Sequence, residues 1–424
     1  MTTRLMRLTA QQAGRGAATL LLSLALPAHA TNGFNLIGFG GESLLMGGAD
    51  VAVARDSSAI NTNPAGLAQI HGKVFNGFGS LLRTLDLSHE DQYGNDVHAS
   101  NRYTPLAGGS YAQSLNDLPC TAGIGTFVQG GAGGVFRNIN TSSGTQDNFS
   151  AKFGIAKIAM GMGCQVTDNL SLGATIGLTY ASLQQSLYRD TPSTTSGVKI
   201  ADVDGIRPNF KLGLQYKLSP TLTFGAAYTE KTKLPLTGGT FALNIGPQTV
   251  HYDDAKLEGF ATPREVAVGL AWKPDTDWLL AVKINWINWA DALKATTLSA
   301  KNPDSAFVPQ QLSNINRLDW HNQVVIAMGL AYELNDKTTL YAGYNYGKNP
   351  IPRATTTPFI AGILEHHYTA GAAYKFSPEW TFTGGFEYSP VVKVNYNNPE
   401  LPFGNAQLRN EALFLHFMLS RQWQ

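Results

Sequence analysis

From Gly72 to the C-terminus, large apolar side chains recur at every second position. In Phe210-Lys211-Leu212-Gly213-Leu214-Gln215-Tyr216-Lys217-Leu218 every even residue is large and apolar and every odd one polar or Gly. The stripe repeats at Leu222, Phe224, Ala226 and Tyr228; at Val266, Val268, Leu270 and Trp272; and at Leu280, Val282, Ile284 and Trp286. It returns at Val324, Ile326, Met328, Leu330 and Tyr332, and again at Tyr368, Ala370, Ala372 and Tyr374. Period two is the strand period, so each segment presents one apolar face. Many stripes end in Tyr, Trp or Phe, as an aromatic girdle at lipid headgroups does. After the first thirty residues no window holds eighteen consecutive apolar residues, so any membrane crossing has to be made by strands. A soluble sandwich would show the same alternation with the apolar face in a shared core.

The turns separate these readings. Six short polar turns, Leu115–Leu118, Val166–Asn169, Leu218–Thr221, Lys273–Thr276, Leu334–Lys337 and Phe376–Glu379, place Asn, Asp, Ser or Pro where the chain reverses. Between them lie long irregular stretches at 89–100, 129–150, 186–202, 240–252, 291–317, 349–364 and 394–407. Short turns alternating with long loops are the outer-membrane pattern, short on the periplasmic side. With both termini periplasmic, this alternation predicts an all-β membrane protein: a 14-stranded antiparallel outer-membrane β-barrel. The strands are expected near 72–88, 101–115, 119–128, 151–166, 169–185, 203–218, 221–235, 253–273, 277–290, 318–334, 338–348, 365–376, 379–393 and 408–421. The last strand ends with Trp423 penultimate rather than with a terminal aromatic.

Residues 1–30 carry Arg4, Arg7 and Arg15, then an apolar run, then Ala28-His29-Ala30, the layout of a signal peptide cleaved after Ala30. Residues 31–70 are rich in Gly and small side chains and show no long alternation, so they read as a plug, or hatch, within the barrel of residues 71–424. Near its end, Asn63 precedes Pro64 and Ala65: Asn is a helix cap and Pro suits a first helical position, whose N–H is unpaired anyway.

With the apolar stripes facing lipid, the opposite parity lines the lumen: Arg207, Asn209, Lys211, Gly213 and Gln215 on one strand, Lys283, Asn285, Ile287 and Trp289 on another, and Glu265, Glu387, Phe414 and His416 elsewhere. This mixture suits an amphipathic ligand, its tail on apolar side chains such as Phe414 and a carboxylate on Arg207, Lys211 or Lys283; the same cations could instead balance Glu265 and Glu387. Gly123 and Gly125 sit within the third strand, ahead of Gly130-Gly131-Ala132-Gly133-Gly134, and predict a kink opening a gap toward lipid, the alternative being a flexible loop root. Cys120 and Cys164 fall at the periplasmic ends of neighbouring strands, where a cross-strand disulfide is expected in an oxidising compartment, the alternative being two free thiols facing opposite sides. His366 and His367 are adjacent on a strand and point to opposite faces, so no metal site is expected. No catalytic motif stands out, neither a cofactor nor an enzyme activity is expected, and a net charge of +1 gives no reason to expect nucleic acid.

Asn32-Gly33-Phe34, Met46-Gly47-Gly48-Ala49, Asp56-Ser57-Ser58-Ala59 and Asn63-Pro64-Ala65-Gly66-Leu67-Ala68 follow one another directly ahead of the first barrel strand. In this order they resemble the FadL/OmpP1/TodX outer-membrane transporters of long-chain fatty acids and aromatic hydrocarbons. The resemblance implies capture of a hydrophobic ligand by extracellular loops and a lumenal site beside a hatch bearing Asn63, Pro64 and Ala65. It also implies lateral exit through a kinked third strand, with no energy source. The surroundings expected are outer-membrane lipid and lipopolysaccharide, and the chain is expected to be a monomer. A general diffusion porin, or a structural or adhesion barrel with an inert lumen, are the competing readings.

Overall fold

The computed structural model describes residues 32–191 and 197–424, so the proposed signal peptide lies outside the described residues. The wall consists of β1 (Lys73–Asp91), β2 (Tyr103–Ser114), β3 (Cys120–Asn140), β4 (Gln146–Gln165), β5 (Leu170–Leu187), β6 (Val198–Ser219) and β7 (Leu222–Thr229). It continues through β8 (Glu265–Trp272), β9 (Trp278–Ile287), β10 (Gln323–Asn335), β11 (Thr338–Gly347), β12 (His366–Lys375), β13 (Trp380–Asn397) and β14 (Asn405–Trp423). Each strand pairs antiparallel with the next, and β14 closes onto β1 from Lys73↔Trp423 to Asp91↔Ala406, which makes a closed 14-strand barrel. Closure leaves neither the first nor the last strand with a free edge for lipid to solvate. The outward stripe is as the alternation requires: Phe210, Leu212, Tyr216, Val266, Leu270, Val282, Ile284, Met328, Phe386 and Phe417 are exposed. Among the described residues no helix is long and apolar enough to cross a membrane.

The six short turns stand where the sequence puts them, but several stretches read as loops are strand. β3 runs to Asn140 and β4 starts at Gln146, so Gly130 to Gly134 lie in a ladder with residues 151–155 instead of in a loop root. Beyond the barrel wall, Leu236–Ile245 pairs with β6 and with Gln248–Glu258, which in turn pairs with Ala295–Pro303, and Ala295–Pro303 pairs with Gln311–Arg317. Such extensions face water and loop side chains, so their sequence does not alternate cleanly. The expected strands 221–235 and 253–273 are interrupted, as Pro235 and Pro263 lack an N–H and Gly259 takes φ +85.

Residues 32–70 lie inside the wall. They contain α1 (Gly41–Leu45) and 3₁₀ turns at Ser57–Ile60 and Pro64–Gln69. Inward glycines let this segment's backbone touch the wall on all sides. A Cβ at Gly163, Gly173 or Gly213 would strike Asn63 or Pro64, one at Gly225 would strike Val51, one at Gly329 Met46, one at Gly343 Gly47, and one at Gly371 or Gly385 Leu45. Wall side chains then tie down carbonyls: Thr369 Oγ1 donates to Leu45 O (2.8 Å), Asn345 Nδ2 to Gly47 O (2.9 Å) and Thr175 Oγ1 to Ile60 O (2.8 Å).

Candidate functional site

Two features meet above the N-terminal segment: a cavity in the lumen and a break in the wall. The break starts where β3 leaves β2. Their ladder ends at Gly109↔Thr126, although β1 keeps pairing with β2 as far as Arg83↔Tyr103. Beyond it, β3 carries one extra residue, Gln129, between Val128↔Ala156 and Gly130↔Ile155, a bulge that bends the strand. The N-terminal segment fills the inner side of the bend: Leu36 N–H donates to Gln129 O at 3.1 Å, and Asn35 bridges Gly130, where a Cβ would collide with Phe34 O. The wall rejoins farther out, where Ser100 N–H donates to Val135 O (2.8 Å) and Val135 N–H to Asn101 Oδ1 (2.8 Å). Leu82, Leu106, Val128, Leu364 and Phe414, with Leu36 against them, fill the region between.

Gly123 and Gly125 therefore belong to the regular part of the ladder, paired with Ala112 and Ser110. Their tight contacts are with Ile60 and with Phe127, and the irregularity itself lies at Gln129 and Gly130. Cys120 and Cys164 are register mates below it and are joined by a disulfide.

The cavity, about 110 Å³, is bordered by the N-terminal segment and by β3 to β11. Its charged groups are Asp50, Lys157, Lys211, Glu265 and Lys283. Of the cations expected at a ligand, Lys283 is bound to Asp50 (Nζ to Oδ1 2.8 Å), and Lys211 Nζ donates to the carbonyls of Asn61 (2.5 Å) and Thr62 (3.2 Å). Both border the cavity, yet both hold the N-terminal segment. Arg207 and Phe414 do not line it. The Arg207 guanidinium is exposed and folds back onto the carbonyl of Ile206 (2.7 Å), and Phe414 is buried against Leu82 and Leu106. Lys157 was not singled out by sequence reasoning, although Ile158, Met160 and Met162 on the lipid face aim it inward.

Asn63 is fully buried, with Oδ1 accepting from Ala65 N–H (3.2 Å), while Nδ2 donates to Val51 O (2.6 Å) and Leu214 O (3.0 Å). One amide thus caps the turn beginning at Pro64, joins two parts of the segment, and anchors it to β6. Above the cavity Phe34 sits among Trp320 (4.8 Å between centroids), Phe153 (5.0 Å), Trp289 (5.8 Å) and Phe260 (6.4 Å), an aromatic cage under the extracellular loops. Glu387 lies buried between His367 (3.0 Å) and His416 (3.1 Å), while His366 meets Tyr344 instead (2.8 Å), so the two adjacent histidines do face apart. Among the described residues no cluster of His, Cys, Asp and Glu could hold a metal ion.

A closed fourteen-strand barrel with an internal N-terminal segment, a lumenal cavity and a local parting of its strands is a membrane-channel architecture of the outer membrane. The chain belongs to the family of outer membrane protein transport proteins (OMPP1/FadL/TodX), whose profile matches residues 35–413. It is 23% identical to outer membrane protein P1 of Haemophilus influenzae across 82% of this chain and 83% of that one. It shares its fold with the Pseudomonas putida toluene transporter TodX (TM-score 0.78, 21% identity, 92% of this chain and 100% of the other). The Ralstonia pickettii toluene transporter TbuX matches at a TM-score of 0.73, with 17% identity over 92% of this chain and 100% of its own. The family and these neighbours are transport channels, not enzymes.

Proposed function

We propose that this chain carries hydrophobic compounds, long-chain fatty acids or aromatic or aliphatic hydrocarbons, passively across the outer membrane. The ligand is captured among the extracellular loops, passes to the lumen beside the hatch of residues 31–70, and leaves sideways between β2 and β3. The observation that carries this reading is the end of the β2–β3 ladder at Thr126 while β1–β2 pairing continues. An apolar solute that leaves there enters lipid directly and need not cross the periplasmic end of the lumen, where the hatch packs against the wall. Movement is downhill, by partition of apolar surface from water into hydrocarbon. Two of the proteins sharing the fold are described as toluene transporters, which supports aromatic hydrocarbons as ligands here. A diffusion porin fits less well, because the hatch is tied to the wall around its circumference.

The test is uptake of labelled oleate and toluene by a host lacking its own fatty-acid and hydrocarbon porters. A gain over the empty host for either compound supports the reading. No gain for either, together with swelling of sugar-loaded liposomes, would replace it with the porin.

A further inference from the structure

The cavity's lining carries donors that a bare hydrocarbon leaves unused. Its carboxylates are already engaged: Asp50 with Lys283 (2.8 Å), and Glu265 with the amides of Asn35 (2.9 Å) and Asn285 (2.8 Å). Lys211 is engaged by hatch carbonyls. Lys157 is not. Its residue is 4% exposed, it borders the cavity, and its ammonium donates to no partner among the described residues. The charges acting on it are Lys211, which repels it, and Glu265, which attracts it. A buried amine without an acceptor leaves its donors unmet, and the partner a cavity can admit to meet them is an anion. Beside it Gln129 Nε2 is a second buried donor without a partner, also on the cavity. Gln129 is the extra residue of the β3 bulge, so the two free donors stand at the inner entrance to the break in the wall.

Size narrows the anion. A cavity of about 150 Å³ holds a benzene ring, and this one, about 110 Å³, is of that order and far short of what a long acyl chain fills. Resting on the transport reading above, we propose that the lumenal cavity binds a small organic carboxylate of single-ring size. Lys157 is its charge-selective residue, Gln129 supplies a second donor, and the ligand's apolar part lies toward Ile155 and Leu36. A carboxylate held there takes two donors that no protein group uses. A neutral hydrocarbon would leave both unmet.

Calorimetry on the purified full chain in a nonionic detergent, with benzoate and toluene as probes, tests this. Benzoate should bind the native protein and lose at least about tenfold in affinity in Lys157→Met, the worth of one charge-assisted hydrogen bond. Lys157→Arg should recover most of that loss, and toluene should change less than about twofold in either variant. Heat-modifiable migration on gels checks that each barrel is folded, and Lys157→Gln serves in place of the Met variant should that one fail. Equal benzoate affinity in the native and charge-deleted proteins overturns the proposal, as does equal loss for benzoate and toluene. Toluene or oleate uptake without benzoate binding also overturns it while leaving the transport reading standing; absence of all uptake fails the transport reading itself.

Discussion

Lys283 on β9 reaches Asp50 of the N-terminal segment, Nζ to Oδ1 at 2.8 Å, and the other carboxylate oxygen accepts from Ser43 Oγ at 2.6 Å. The pair is nearly buried, with side-chain exposures of 12% and 8%, so each charge depends on the other. Removing one partner of a buried pair costs about 3–5 kcal/mol, because the survivor is left unpaired. Lys283→Met should therefore loosen the hatch, seen as faster proteolysis within residues 32–70 and new permeation of sugars into liposomes. Adding Asp50→Leu should restore much of the protection, since no orphan charge remains. Equal proteolysis in native and single-variant protein would show that the pair does not anchor the segment.

Asn63 closes three hydrogen bonds with one amide. In Asn63→Ala the cap accounts for about 1 kcal/mol, and the carbonyls of Val51 and Leu214 lose a donor at about 1 kcal/mol or more. Leu214 apart, these groups belong to the N-terminal segment, and the strand-to-strand pairing of β6 is unchanged. The expected outcome is an altered rate of ligand uptake and faster hydrogen exchange in residues 50–70, with the melting temperature of the barrel unchanged. Native uptake in that variant would count against the hatch as a gate.

Gly213 faces Asn63 so closely that a Cβ there meets Asn63 Oδ1 and the ring of Pro64. Gly213→Val should displace the turn at Pro64–Gln69 while β6 keeps its pairing, because the strand itself accepts a β-branched residue readily. Cysteine accessibility in the Ala68→Cys background, read with a water-soluble maleimide, should rise. Unchanged labelling would mean that the close approach is not needed to seat the hatch.

Asp56, half-buried in the N-terminal segment, accepts from Ser58 N–H (2.7 Å) and caps the turn at Ser57–Ile60. Burial pushes its carboxyl up to about 6, against the hydrogen bonds from Ser58, which pull it down. The seated segment therefore binds this proton more tightly than a detached one, whose value is the ordinary 3.8. The resulting stabilisation is fully present below the ordinary value and is lost as pH rises through about 6. Hydrogen exchange in residues 50–70 should be slower at about pH 5 than at about pH 7.5 after correction for intrinsic rates, and Asp56→Asn should flatten that difference. A difference that survives the substitution would assign it to another group.

The wall was legible because lipid imposes a strict rule: the period-two stripes at Phe210 to Leu218 or Val324 to Tyr332 have one solvent on one face throughout. Outside the bilayer that rule lapses. Gly130 to Gly134 read as a loop but continue β3, pairing with residues 151–155 while Phe34 of the N-terminal segment packs against Gly130, so no apolar stripe marks them as strand. Parity turned Lys211 and Lys283 inward, where they border the cavity, but could not show that carbonyls of the N-terminal segment and Asp50 occupy them. It placed Arg207 on the same row, although that side chain folds back on its own strand. Lys157 was readable from Ile158, Met160 and Met162, and only the packing shows it without a partner.

Lateral exit stands or falls on the bulge at Gln129. Deleting Gln129 leaves Val128 and Gly130 opposite Ala156 and Ile155 in unbroken register and straightens β3 toward β2, while Gln129→Ala keeps the bulge and removes only the side chain. Uptake of labelled oleate and toluene, measured in cells with surface amounts of each folded barrel matched, should fall to the empty-host level for the deletion and persist for Gln129→Ala. Undiminished uptake through the straightened wall would contradict exit between β2 and β3.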